Sequence, residues 1–247
     1  MVMGIVAQPP WTRLGKSIES ACRKALFDFE LLARGSVLSV ALSGGKDSLT
    51  LLYMLKAILG HGFPKLPMYA IYICGEFSCG ASIDPNFLEG ICRTLNIPLV
   101  VKNLERTWKK GGCYGCSRER RSLIFEAARE VGSDVVAFAH HRDDSNQALL
   151  LNLLHKGEFA ANLPKLFMYR YGVTIIRPLI YVAERMIYEF AKFHGFARRV
   201  CRCPVGQGSK RKEVKGLIER LESAFPNTSA NLARAALKYG SQKAKKI

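Results

Sequence analysis

The chain has 247 residues, 49% of them hydrophobic, and sets 37 lysines and arginines against 20 acidic residues for a formal net charge of +17. That length holds one large domain, or one domain with a small appendage, and the apolar content is enough for a core. No apolar run reaches the roughly 18 residues of a membrane span, and the first residues lack the basic flank of a signal peptide. A cytoplasmic protein with a polyanionic partner is therefore expected, nucleic acid being favoured over a membrane surface.

Ile18, Cys22, Ala25, Leu26, Phe29 and Leu32 recur at three- and four-residue spacing and predict a helix over 16–33. Residues 37–42 form a short apolar, β-branched run suited to a buried parallel strand, and a helical pattern (Leu49, Leu52, Tyr53, Leu55) follows Ser48. Strands are predicted over 68–73, 97–101, 135–139 and 173–176. Asp84 caps and Pro85 starts a helix whose buried face is Phe87, Leu88, Ile91 and Leu95. Further helices are predicted over 118–131, from Asp143 or Asp144 to about 154, and around Val182, Met186, Ile187, Phe190 and Phe193, the last stopped by Gly195.

This alternation implies an α/β fold, a doubly wound parallel sheet whose ligand binds beyond the carboxyl ends of its strands. The loop after the first strand, Cys74, His140-His141 and Arg177 all follow strands and converge on that edge. Beyond 209, Val214, Leu217, Ile218 and Leu221 mark one helix, and Leu232, Ala236 and Tyr239 a second capped by Asn227-Thr228. The expected organisation is an N-terminal helical segment (1–34), a nucleotide-binding core (35–200) and a C-terminal helical extension with a basic tail (201–247).

Ser43-Gly44-Gly45-Lys46-Asp47-Ser48 sits between strand and helix. That context aims backbone N–H groups and a helix N-terminus at an anion, while the glycines permit close approach and Lys46 adds a mobile charge. A Walker A loop is excluded, because Val40 stands where its first glycine belongs and Asp47 where Ser or Thr must follow the lysine. An ordinary glycine turn is the bland alternative, and six consecutive residues in this context argue against it.

Eight cysteines in a reducing compartment do not read as a disulfide framework. Cys22 and Cys92 fall on apolar helical faces and read as small core residues, whereas Cys74 and Cys79 are ambiguous. Cys113-Tyr114-Gly115-Cys116 opens a helix, with Arg118, Arg120 and Arg121 behind it, which stabilises thiolates. Cys201 and Cys203 lie far downstream. Two cysteines plus one distant one suit an iron–sulfur cluster with an open iron; four would suit structural zinc, although C-x-C is a poorer match to it. The adjacent histidines read as hydrogen-bonding groups lining the site rather than metal ligands. Asp143 and Asp144 either cap their helix or help hold Mg²⁺, and Arg177 contacts phosphate or RNA.

Residues 43–48 resemble the signature of the N-type ATP pyrophosphatases, the PP-loop enzymes, which adenylate a substrate oxygen and release pyrophosphate. Cys113 and Cys116, followed by Ser117-Arg118-Glu119-Arg120-Arg121, resemble the cysteine motif of the tRNA 2-thiocytidine synthetases within that superfamily. Ala139-His140-His141-Arg142-Asp143-Asp144 is similar to their Gly-His-His-Arg-Asp-Asp, with alanine for glycine. Asn162-Leu163-Pro164-Lys165-Leu166 and Ile176-Arg177-Pro178-Leu179 resemble further segments, so the likeness runs from about 17 to 226.

The resemblance implies ATP on Ser43, Gly44, Gly45, Lys46, Asp47, Ser48, His140 and Arg177, with Lys46, Asp47, Asp143, Asp144 and Mg²⁺ serving adenylation. It implies a 4Fe-4S cluster on Cys113, Cys116 and a third cysteine, Cys203 fitting better than its competitor Cys201. The partners expected are tRNA, a sulfur donor (a cysteine desulfurase or sulfide) and a second copy of the chain in a homodimer. Basic residues at Lys109-Lys110, Arg118, Arg120, Arg121, Arg198-Arg199, Lys210, Arg211 and Lys212 are candidates for the tRNA phosphates. The rivals are a 2-thiouridine-forming thiolase, a lysidine synthetase, which needs no cysteine ligands, and a zinc-bearing RNA-binding module with a vestigial ATP site.

Overall fold

The computed structural model describes residues 6–32, 35–75, 83–104, 112–197 and 210–240, with only the backbone for 112–114. In chain order the elements are α1(Arg13–Asp28), β1(Leu38–Ala41), α2(Lys46–Ile58), β2(Met68–Cys74), α3(Pro85–Thr94), β3(Leu99–Asn103) and α4(Gly112–Glu130). There follow β4(Val135–Ala137), α5(Arg142–Lys156), β5(Lys165–Met168), β6(Val173–Ile176), α6(Glu184–Phe193), α7(Lys210–Ala224) and α8(Thr228–Tyr239). The six strands form one sheet in the order β3-β2-β1-β4-β6-β5.

Period-two patterning builds the two layers. Leu38, Val40, Met68, Ala70, Tyr72, Val135, Ala137 and Ile176 pack with α1, α2, α3 and α6 in one core. Ile71, Ile73, Val136, Phe138, Val173 and Ile175 face the other way, against Ile124, Phe125, Ala127 and Ala128 of α4. Helices thus cover both faces, as the alternation predicts. β1 pairs parallel with β2 on one side and β4 on the other. The strand order reverses at β1, so the loops after β1 and β4 flank the crevice where such sheets bind ligands.

The sheet departs from the expected one at its edge. β5 was not legible as a strand; it pairs antiparallel with β6, Lys165 opposite Ile176 and Met168 opposite Val173. Its outward face holds Lys165 and an exposed Phe167, so it lacks the apolar signal of the central strands.

Helix ends also moved. α1 starts three residues earlier than expected, because the Thr12 hydroxyl accepts the Gly15 N–H at 3.3 Å, and it stops before Glu30, whose φ is 47°. α5 starts at Arg142 with His141, not an aspartate, as its N-cap. Asn227 occupies the N-cap position of α8 with φ 71° but makes no side-chain cap bond. The Glu222 carboxylate accepts the N–H groups of Asn227 (2.8 Å) and Ser229 (2.7 Å) instead.

α7 and α8 pack on α5, and Asn146 in α5 donates to Ser229 O at 2.8 Å. Cys22 and Cys92 are buried core residues; burial pushes both thiols up, that of Cys92 to about 11. Among the described residues no helix is long and apolar enough to cross a membrane.

Candidate active site

The loop between β1 and α2 is tied by its own hydroxyls. Ser43 N–H donates to Ser48 Oγ at 3.2 Å, the two serine oxygens lie 3.1 Å apart, and Ser48 Oγ donates to Gly45 O at 3.0 Å. Gly45 is the N-cap of α2, which starts at Lys46, so the first-turn N–H groups have no intrahelical partner and open onto the sheet's edge. Gly44 has φ +74°, and a Cβ there would lie 2.6 Å from Ile83 Cδ1. Left-handed backbone costs a non-glycine roughly 1–2 kcal/mol before any clash. Gly44→Ala should therefore lower the urea midpoint and weaken ATP binding together, whereas Gly90→Ala, with nothing within 4 Å of the added Cβ, should change neither.

Lys46 Nζ is held by Asp47 Oδ1 at 2.8 Å and by Glu184 Oε1 at 3.2 Å. Burial alone would lower its pKa, but the two carboxylates outweigh burial and raise it. Glu184, the first residue of α6, reaches back with its other oxygen to Lys215 Nζ of α7 at 2.8 Å. Burial pushes the Glu184 carboxyl up, yet the Lys215 hydrogen bond and the charges of Lys46, Lys215 and His141 pull it down to about 2.

A depressed carboxyl stabilises the fold fully above its unfolded value near 4.5 and loses that contribution as pH falls toward about 2. The wild-type protein should thus lose more unfolding stability between pH 5 and pH 3 than Glu184→Gln does. Equal losses in urea titrations at the two pH values would contradict this.

On the far side of the crevice, the loop after β4 brings His141 to α5. His141 is 4% exposed; its Nδ1 accepts the Asp144 N–H at 3.4 Å, and Asp144 Oδ2 accepts the His141 N–H at 3.1 Å, a reciprocal capping box. His141 also sits 3.8 Å from Asp47 Oδ1 and 3.8 Å from Asp143 Oδ2. Three of the predicted acidic residues therefore converge on one imidazole, facing the phosphate loop. Asp143 Oδ2 accepts the Glu184 N–H at 2.8 Å, joining α5 to α6. Among the described residues no group of three or more His, Cys, Asp or Glu is arranged to hold a metal ion. The Asp47, Asp143 and Asp144 carboxylates are instead bonded within the protein, and a Mg²⁺ brought with ATP would have to compete for them.

Arg177 follows β6 and is buried. Its Nε donates to His140 Nδ1 at 3.2 Å, and its Nη1 donates to Leu163 O, while Arg177 N–H donates to Pro164 O at 2.9 Å. The 162–164 segment is thus the seat of this guanidinium. Burial, reinforced by Arg121, lowers the Arg177 pKa to about 10 against the opposing pull of Asp144. Burial, then Arg177, Arg121, Arg211 and His141, drives His140 well below the ordinary histidine value, so it is neutral and accepts at Nδ1. Arg121 of α4 and Arg211 of α7, both exposed candidates for the RNA phosphates, contribute positive charge to this shift.

The remaining candidates divide cleanly. Cys116 is half-buried near the start of α4, and Cys113 lies three residues earlier on the same helix, its side chain outside the described residues. Cys79, Cys201, Cys203, Lys109, Lys110, Arg198 and Arg199 are outside them altogether. Arg118 is exposed, and the Arg120 Nε is buried with no hydrogen-bond partner among the described residues. Lys210, Arg211 and Lys212 are exposed at the start of α7, Lys210 pairing with Glu213 at 2.9 Å. Glu184 and Lys215 were not legible in the sequence: each looks like an ordinary helix-surface charge, and only the fold brings Glu184 to Lys46 and Lys215 to Glu184.

A glycine–serine loop after the first strand of a doubly wound sheet, with an N-terminal helix turn and a lysine aimed at the crevice, defines a PP-loop nucleotide protein. The PP-loop domain family matches residues 15–199. The tRNA-cytidine(32) 2-sulfurtransferase of Geobacter metallireducens is 31% identical over 229 residues, 89% of this chain and 88% of that protein. Its Coxiella burnetii counterpart is 33% identical over 232 residues, 90% of each chain. The U34-tRNA thiolase NcsA of Methanococcus maripaludis, solved with its 4Fe-4S cluster, shares the fold with TM-score 0.70 at 20% identity, over 90% of this chain and 78% of that one. The chain belongs to the PP-loop family and, within it, to the tRNA-cytidine(32) 2-sulfurtransferases.

Proposed function

We propose that the protein is an ATP-dependent tRNA thiolase that converts cytidine 32 of the anticodon loop to 2-thiocytidine. The observation that carries this reading is the PP-loop after β1, with Lys46 opening α2 and the His140–Arg177 pair following β4 and β6 at the same edge of the sheet, in a chain whose relatives over nearly its whole length bear that activity in their names. The C2 carbonyl oxygen of the base attacks the α-phosphorus of ATP; the bond to the β-phosphate bridging oxygen breaks and pyrophosphate leaves. Sulfide then adds at C2 and AMP departs with the original oxygen. The first-turn N–H groups of α2 and Lys46 bind the phosphates, and neutral His140 and charged Arg177 line the opposite wall.

Cys113, Cys116 and Cys203 are the residues assigned to a 4Fe-4S cluster, which when bound would supply an iron to hold the incoming sulfur. Cys113 and Cys116 stand three residues apart in the first turns of α4, with Arg118, Arg120 and Arg121 following in sequence, a context that favours thiolate ligands. A single-stranded loop is the apt substrate, because its bases need not be extruded from a duplex. A cytoplasmic homodimer served by a cysteine desulfurase or by sulfide completes the reading. It is tested by AMP and pyrophosphate formation on adding tRNA and sulfide; formation that depends on lysine instead would assign the chain to lysidine synthesis.

The basic face makes a separate prediction. Affinity for tRNA should fall steeply with salt, and replacing Lys210, Arg211 and Lys212 together with glutamine should reduce the slope of log affinity against log salt by about 2 or more. Filter binding between low and moderate salt measures it, and an unchanged slope would show that these residues do not meet phosphates.

A further inference from the structure

Lys46 is not alone on Glu184. The Glu184 carboxylate gives one oxygen to Lys46 of the phosphate loop and the other to Lys215 of α7, at 3.2 and 2.8 Å. Two ammonium groups from elements far apart in sequence are thereby bridged by one carboxylate, as the non-bridging oxygens of neighbouring phosphates could bridge them. Lys215 is not packed in place: its side chain is 48% exposed and borders a cavity of about 310 Å³ lined also by Asp143, Glu184, Ile218, Glu219 and Ser229. It therefore has room to turn. Arg211 lies one helical turn earlier on α7, and its charge is felt at His140. α7 is seated by Val214 and Ile218, which are buried, and Lys215 ties it to the first residue of α6.

We propose that Lys215 is a second phosphate-binding lysine of the nucleotide site, exchanging Glu184 for the β- and γ-phosphates of ATP when the nucleotide arrives. Glu184 is the positioning residue that holds both lysines beforehand. Nucleotide binding then adds a contact to α7, which already packs on α5, and α7 is the helix that follows Cys201 and Cys203 in sequence. The inference rests on the PP-loop reading of the site.

Calorimetry with a non-hydrolysable ATP analogue, and separately with inorganic pyrophosphate, tests it. Lys215→Met should weaken both ligands about tenfold or more, the loss expected for one charged hydrogen bond. Lys192→Gln, which removes an exposed charge from the other end of α6, should bind as the wild type does. Glu184→Gln should tighten both ligands by freeing the two lysines, and adding Lys215→Met to it should again cost about tenfold. A Lys215→Met loss that vanishes in the Glu184→Gln background would mean that Lys215 acts only by holding Glu184, and would overturn the proposal. So would wild-type binding by Lys215→Met when Lys46→Ala has lost the ligand, which leaves the PP-loop reading intact. Failure of the wild-type protein to bind either ligand would overturn both.

Discussion

Lys46→Ala should lower tRNA-dependent pyrophosphate release by at least about a hundredfold, the range in which removing one preorganised charge-stabilising donor falls. Lys46 is the lysine proposed to bind the phosphates, and it is lodged between Asp47 and Glu184 at the N-terminus of α2. Alanine leaves the loop's serine bonds in place, so the fold should persist while the charge proposed to meet the leaving phosphates is gone. Retention of tRNA should hardly change, because one of 37 basic residues is lost. The two readouts must therefore part company. Undiminished pyrophosphate release from the variant would remove Lys46 from the reaction.

The second large effect concerns sulfur. Cys116→Ala should bring 2-thiocytidine below detection while ATP-dependent pyrophosphate release with tRNA continues, since Cys116 lies on α4 and takes no part in the phosphate loop. After anaerobic reconstitution it should also lose the visible absorption, iron and acid-labile sulfide of the wild-type protein. Cys203→Ala should behave in the same way and Cys201→Ala should keep both properties. The reverse pattern would transfer the ligand role to Cys201. Loss in both would point to a closed four-cysteine site with no position left for sulfur.

The parts legible in the sequence were those where local chemistry and tertiary structure agree. A buried parallel strand is apolar throughout, so β1, β2, β4 and β6 announced themselves, and Asp84-Pro85 capped and started α3 as its residue types require. β5 was hidden because an edge strand with Lys165 and Phe167 facing solvent needs no apolar pattern. The cap of α5 was misassigned because aspartates are the commoner cap and His141 is an unusual one; its buried position between Asp47, Asp143 and Asp144 exists only once β1 and β4 lie side by side.

The site divides in the same way. Residues 43–48 act through local backbone geometry, and that geometry is written in two glycines and two serines. Glu184 and Lys215 act through distance, across separate elements, and a helix-surface glutamate or lysine carries no mark of what it will meet. Asn162-Leu163-Pro164 was recognisable as a segment, but its task, seating the Arg177 backbone and guanidinium, appears only in three dimensions.

The central claim is tested most directly by one measurement. The reconstituted protein is incubated with unmodified tRNA, ATP, Mg²⁺ and sulfide, and the tRNA is digested and analysed by mass spectrometry. The account predicts 2-thiocytidine at position 32, with one AMP and one pyrophosphate formed for each sulfur inserted. Nucleotide hydrolysis with an unchanged cytidine 32, or sulfur found on a uridine instead, would contradict it.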